Sequence, residues 1–229
     1  MATNRWIGGT SGNETTYTTA ANWSLGSAPA GTNDVIIPKD AAYNITGSDQ
    51  SSTALASFTI EDGCGITIGT GAVPLLIQAT VCTLGNSGTV NIGGTIPTLT
   101  LKGSGATVIP TGATLTTVNV IAGSPQVLSA ATTMTVSGGN VTWGYCGVSE
   151  IALGTVNVEG SGRCIYNSSG LLGIANVKNG GTLDGSGDLR TTTITTTNFY
   201  RGGIIKDPYL RFTYTNKIDL KDGATVTAS

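Results

Sequence analysis

Two short stretches decide the fold: Val156-Asn157-Val158-Glu159-Gly160 and Ala175-Asn176-Val177-Lys178-Asn179-Gly180. Each places Asn between two apolar residues and follows with a Gly, directly or after a short variable segment. Alternation of apolar and polar side chains is the period of a β-strand with one buried face. Gly and its neighbours supply the bend that ends the strand. The same unit recurs at Val90-Asn91-Ile92, at Val118-Asn119-Val120 with Gly123, and at Ile218-Asp219-Leu220 with Gly223. Its central residues are 28, 38, 19 and 43 positions apart. Three of these gaps approximate one or two multiples of a unit of about 20 residues, the period of one solenoid coil. The 28-residue gap requires an insertion or a shift to another face.

Working outward, similar pairs run through the chain: Ile66 with Ile68, Leu75 with Ile77, Leu99 with Leu101, Val141 with Trp143. No segment after residue 50 shows helical periodicity. One such coil is too short to bury its own apolar side chains, whereas stacking buries each coil against the next and extends the backbone ladder. The expected fold is all-β: a single-stranded parallel β-helix over residues 51–229, preceded by an N-terminal cap over residues 1–50.

Composition agrees. Charged residues make up 10% of the chain, well below the roughly 25% of ordinary soluble domains, and there are 34 glycines among its 229 residues. Gly and β-branched residues disfavour helices and suit strands joined by tight turns. A mean hydropathy of +0.15 excludes a disordered chain. The longest apolar runs, such as Val73 to Ile77, fall far short of the roughly 20 residues of a membrane-spanning helix.

Charge is unevenly spread. Residues 1–159 carry three basic and eight acidic side chains, and residues 160–229 carry eight and five. That C-terminal excess is either a solvated surface or an edge that docks on an acidic partner. No Lys/Arg run is dense enough for nucleic acid.

Cys64 and Cys82 are 18 residues apart, as are Cys146 and Cys164. The spacing approximates one coil, so each pair is expected on adjacent coils. There they form either disulfides or buried thiols acting as small hydrophobes. With no His and no close Cys pair, zinc is not expected. No cofactor is expected either.

The first 50 residues differ. Trp6 and Trp23 are followed by Pro29 and the strand Asp34-Val35-Ile36-Ile37, which Pro38 ends. Large aromatic side chains here can plug the first coil. Trp6-Ile7-Gly8-Gly9, Ala20-Ala21-Asn22-Trp23-Ser24, Pro29 and Asp34-Val35-Ile36-Ile37-Pro38 resemble the opening module of right-handed β-helix proteins. That module occurs in bacterial autotransporter-like surface proteins and in phage-encoded virion proteins. Gly8-Gly9-Thr10-Ser11-Gly12-Asn13, close to the first residue, most resembles the phage proteins often encoded near capsid genes. The resemblance covers roughly residues 4–40, and beyond them only the repeat character. It implies a right-handed β-helix on the outside of a phage capsid. The start, Met1-Ala2-Thr3-Asn4-Arg5-Trp6, lacks the apolar core of a signal peptide. Synthesis in the host cytoplasm and a place on the virion surface are therefore expected.

β-Helices also host polysaccharide-degrading enzymes, so carboxylates need weighing. Without His, every His-dependent triad is excluded. Glycosidases need two carboxylates across a sugar cleft. Asp184 and Asp188, in Leu183-Asp184-Gly185-Ser186-Gly187-Asp188, form the best local pair, but Asp-Gly and Gly-Asp are ordinary turn dipeptides. Glu61 and Asp62 are adjacent on a strand and point to opposite faces. Glu150 and Glu159 meet only if the fold brings them together.

Aromatic and Arg residues return in Asn198-Phe199-Tyr200-Arg201 and Tyr209-Leu210-Arg211-Phe212-Thr213-Tyr214. Tyr and Arg are enriched at interfaces, and the same stretch serves equally as a cap over the last coil. The candidate interface is Trp6, Trp23, Tyr200, Arg201, Tyr209, Arg211 and Tyr214. The functional expectation is a non-enzymatic virion protein decorating the capsid as a homotrimer. Its partners are itself, the major capsid protein and, as a further option, a host-surface glycan, with no nucleic acid and no membrane. A fragment of a secreted adhesin and a polysaccharide-degrading tailspike are the alternatives.

Overall fold

The computed structural model describes residues 2–224, which contain no α-helix and one 3-10 turn, Ala20–Asn22. The chain folds into two compact units, residues 1–116 with 123–125, and residues 117–122 with 126–229. Both are parallel β-solenoids.

The first unit holds β1 (Thr3–Arg5), β2 (Asp34–Ile37), β3 (Asp49–Ile60), β4 (Leu75–Leu84), β5 (Val90–Leu101), β6 (Thr107–Ile109) and the start of β7 (Thr114–Val120). Strands β1 to β5 stack in sequence order, every pair parallel. Residues 1–50 therefore supply the first rungs of the ladder as well as a cap. Val35, Phe58, Cys82 and Leu99 form one buried column, and Ile37, Ile60, Leu84 and Leu101 a second. Each such side chain stabilises by about 1.5–3 kcal/mol when fully buried.

The second unit continues from Thr117 of β7 through β8 (Gln126–Val127), β9 (Ala131–Val136), β10 (Asn140–Trp143), β11 (Leu153–Val158) and β12 (Arg163–Tyr166). It ends with β13 (Leu172–Val177), β14 (Thr182–Asp184), β15 (Thr192–Tyr200), β16 (Ile204–Lys206), β17 (Phe212–Tyr214) and β18 (Ile218–Lys221). One ladder runs β7-β9-β11-β13-β15 and then to β17 and β18. The other runs β8-β10-β12-β14-β16.

The Asn-centred unit is this first ladder. Asn119, Thr135, Asn157, Asn176, Asn198 and Asp219 stand in register. The carboxamides bond along the stack: Asn198 Nδ2 donates to Asn176 Oδ1 (2.7 Å) and Asn176 Nδ2 to Asn157 Oδ1 (2.8 Å). Thr135 and Asn198 fill the levels that made two of the sequence gaps double. Asn91 lies elsewhere: with Val90 it pairs with Val108 and Thr107 of β6. The 28-residue gap is thus a shift of face. The unit's closing glycine bends the chain out of the strand: Gly180 has φ +78°, and a Cβ there would meet the Gly160 carbonyl oxygen at 2.2 Å.

Each cysteine pair does fall on adjacent coils, Cys64 after β3 and Cys82 on β4, Cys146 after β10 and Cys164 on β12, but the expectation that they share a face is corrected. Cys82 stacks on Phe58 and Leu99 and Cys164 on Val141 and Leu183, so neither cysteine pair is a register pair. Cys64 sits in the turn after β3, where its carbonyl accepts Ser87 N–H (2.7 Å), and Cys146 is in an exposed loop. Coil length explains the miss. Asp34, Ser57, Val81 and Thr98 are in register, giving steps of 23, 24 and 17 residues. Thr117, Thr133, Thr155, Ile174 and Thr196 give 16, 22, 19 and 22. A spacing of 18 therefore fixes no position within a coil. All four cysteines are free thiols, and burial pushes Cys164 up to about 12.

Candidate interface at the C-terminal coils

The seven candidate side chains separate by burial. Trp6 and Trp23 are 1% exposed and belong to the interior of the first unit. Their rings meet edge to face at 5.1 Å, and Tyr17 packs on Trp23 the same way at 4.9 Å. Both indoles are satisfied internally: Trp6 Nε1 donates to Tyr43 O (3.0 Å) and Trp23 Nε1 to Tyr17 O (2.6 Å). Asn22 ties the surrounding loop, donating to Asn13 O and Thr16 O while its oxygen accepts Thr10 N–H. The two tryptophans are a sealed cap, and no partner reaches them without unfolding it.

Arg211 is buried too, at 1% exposure. Its guanidinium donates to four backbone carbonyls, those of Tyr166, Ser168 (2.7 Å), Gly185 (3.5 Å) and Arg190 (2.8 Å). These carbonyls come from two earlier turns of the second unit, so one side chain fastens three levels. The Asp207 carboxylate secures its own segment by accepting the Arg211 and Phe212 N–H groups, both at 2.9 Å. Burial pushes the Arg211 pKa down, against the raising effect of Asp188 and Asp207. A buried charge persists when it is fully hydrogen-bonded, as here.

The two carboxylates that formed the best local pair hold turns. Asp184 Oδ1 accepts Ser186 N–H (2.8 Å) and Asp188 Oδ1 accepts Arg190 N–H (3.0 Å), each an Asx turn. Each also has its own arginine, Arg163 on Asp184 and Arg190 on Asp188, the latter at 2.7 Å. Burial pushes Asp188 up, but Arg190 together with the Arg190 and Gly147 N–H groups outweighs it and holds the carboxyl well below the usual range. Glu61 binds Arg5 (3.2 Å), Asp62 binds Lys102 (2.9 Å) and Glu159 binds Lys178 (2.9 Å). Among the described residues no three His, Cys, Asp or Glu side chains cluster as a metal site.

The other candidates reach the surface. Tyr200 is half-buried and Arg201 exposed. With Lys178, Asn179, Gly202 and Asp222 they line an open cleft of about 710 Å³ in the second unit. Lys178 is engaged by Glu159, whereas Arg201, Lys206 and Lys217 have no ion-pair partner among the described residues. Tyr209 is 56% exposed. Tyr214 is half-buried, and burial pushes its phenol up to about 12. What remains available for contact is a basic and aromatic surface on the last coils.

The class that this fold defines is the parallel β-solenoid. Compared with protein-family models, with curated proteins and with solved structures, the chain matches none.

Proposed function

We propose that the chain is a non-enzymatic structural protein of a bacteriophage particle. It sits on the capsid exterior as a homotrimer and docks on the major capsid protein through its C-terminal coils. The observation that carries this reading is the exposed Arg201 beside Tyr200 on the open cleft of the last coils, where Arg201, like the exposed Lys206 and Lys217 of the same coils, has no ion-pair partner among the described residues. Of the other cations, Arg5, Lys102, Arg163, Lys178, Arg190 and Lys221 each hold a carboxylate and Arg211 holds carbonyls, which leaves Lys39 of the first unit as the other cation without an ion-pair partner among the described residues. Free guanidinium and ammonium groups beside an aromatic ring suit an acidic protein surface. The best local carboxylate pair, Asp184 and Asp188, is committed to turns and to its own arginines, which favours a mechanical role. The resemblance of residues 4–40 to phage virion β-helices supports the setting.

The test uses capsids lacking this protein. Purified protein should bind them, and raising salt from 50 to 500 mM should weaken binding severalfold, because exposed charge pairs are screened. Arg201→Glu should weaken binding about tenfold or more while leaving the thermal midpoint unchanged. Binding insensitive to both, or release of reducing sugar from the host's polysaccharide, would overturn the reading.

A further inference from the structure

We infer that the outer face of the first ladder in the second unit is an ice-binding surface. It is a fixed, uncharged grid of Thr and Asn side chains, and its ligand is the ordered water of an ice crystal.

Two rows make the grid. Thr117, Thr133, Thr155, Ile174 and Thr196 stand in register, one per coil. Two residues further along the same strands stand Asn119, Thr135, Asn157, Asn176 and Asn198, also in register. Alternate residues of a strand point to opposite faces. The residues between the rows, Val118, Met134, Val156, Ala175 and Thr197, are buried, so both rows face outward. Coils stacked about 4.8 Å apart and two strand residues of about 3.3 Å each set a grid of about 4.8 by 6.6 Å.

The grid is held in place before any ligand arrives. The branched Cβ of threonine restricts its rotamers. The second row is tied along its length: Asn198 donates to Asn176, Asn176 to Asn157, and Asn157 Nδ2 to Thr135 Oγ1 (3.4 Å). Side-chain ladders of this kind hold a sheet flat against its natural twist. A carboxamide has two N–H donors and two lone pairs. Asn157 and Asn176 each give one bond and accept one within the row, so each keeps hydrogen-bonding capacity for a ligand.

Charge is kept off the face. No grid position is ionisable. The next position along the strands brings Glu159 and Lys178, which close on each other at 2.9 Å. On the coil beyond the last level stand Lys217 and Asp219, and Lys221 holds Asp219.

These features select the occupant. A charged polymer, membrane or mineral calls for cations or carboxylates, and the grid has neither. Sugar rings stack on aromatic side chains, and no Trp, Tyr or Phe stands in either row. The grid with its borders covers on the order of 300 Å², against about 800 Å² per partner in a specific protein interface. A small uncharged grid suits a ligand that repeats on the same grid and hydrogen-bonds at every point. Ice is such a ligand: its oxygen layers repeat at intervals close to both spacings, and each oxygen both donates and accepts. Side chains already fixed lose little rotamer freedom on attachment. The inference is independent of the capsid reading, which uses Arg201, Lys206 and Lys217.

The full chain, labelled at the exposed Cys146 off the grid, tests it. Ice grown slowly from a dilute solution should take up the protein about fivefold or more over labelled serum albumin frozen beside it. Thr155→Tyr lifts a flat lattice off the centre of the grid, and Thr133→Lys places a charge there. Each should cut uptake about fivefold or more, with circular dichroism and thermal midpoint unchanged. A wild-type chain rejected by growing ice would overturn the inference. Uptake equal to wild type in both variants would put the ice contact elsewhere and overturn it too. Adsorption to crystalline cellulose or chitin without uptake into ice would make the grid a polysaccharide face and refute it. Each of these failures leaves capsid docking through the C-terminal coils intact.

Discussion

The first coils of the first unit and the last coils of the second carry the same kinds of side chain and treat them oppositely. At the start, Trp6, Tyr17 and Trp23 turn inward, pack edge to face and satisfy both indole N–H groups on local carbonyls. At the other extreme, Tyr200, Tyr209, Leu210 and Leu220 stand partly or largely in solvent. The lesson is that aromatic content alone does not separate a cap from an interface. What separates them is whether the flanking chain wraps back. Residues 7–24 loop over Trp6 and return Trp23 to it across a bridge, while the segment around Tyr209 is held down by Arg211 and leaves its neighbours outside.

The comparison breaks most easily at Trp23. Trp23→Ala removes a fully buried ring from the cap and should cost about 3–5 kcal/mol, read as a fall in the denaturant midpoint. The matched change Tyr209→Ala should stay within about 0.5 kcal/mol. Comparable losses for the two would erase the distinction between the regions.

Arg211 sharpens the same contrast, as the one candidate of the C-terminal stretch that behaves like the cap. Arg211→Met leaves four buried carbonyls without their donor and should destabilise by about 3 kcal/mol. Arg211→Lys should recover less than half, because an ammonium cannot span carbonyls from separate turns as a planar fork does. A full rescue by Lys would mean that charge, not geometry, fastens the levels.

The smallest effect is acid sensitivity. The folded pKa of Asp188 lies below its unfolded value, so its contribution is present above about pH 4 and fades as pH falls through the folded pKa. Asp184 shifts the same way, burial raising it and the Ser186 and Arg163 hydrogen bonds outweighing that rise. Unfolding followed by Tyr and Trp fluorescence between pH 5 and 2 should show loss of stability on acidification. Asp188→Asn should flatten that slope, and a variant with the wild-type slope would remove Asp188 as its source.

Much of the architecture is legible in the residues. Alternation around Asn157 and Asn176 marks the strands, and the closing glycines mark the bends. The doubled gaps to Asn119 and Asp219 hide Thr135 and Asn198, which fill the same row. Side-chain roles are less legible. The carbonyls that bind Arg211 lie 21 to 45 positions earlier, so nothing local distinguishes it from the exposed Arg201. The paired cysteine spacings mislead because coil lengths vary.

The row of carboxamides has a consequence for how such a chain can change. Steps from 16 to 22 residues all deliver their strand to the same row, because the surplus is spent at the corners. The row acts as a ratchet that accepts one tooth per coil and ignores the length of belt between teeth. Loop closure costs rise only slowly with length, about 0.6 kcal/mol per doubling. A peptide spliced into a corner therefore leaves the rows intact. The second unit is in that sense a rack, on which foreign segments can be mounted at intervals of about 4.8 Å.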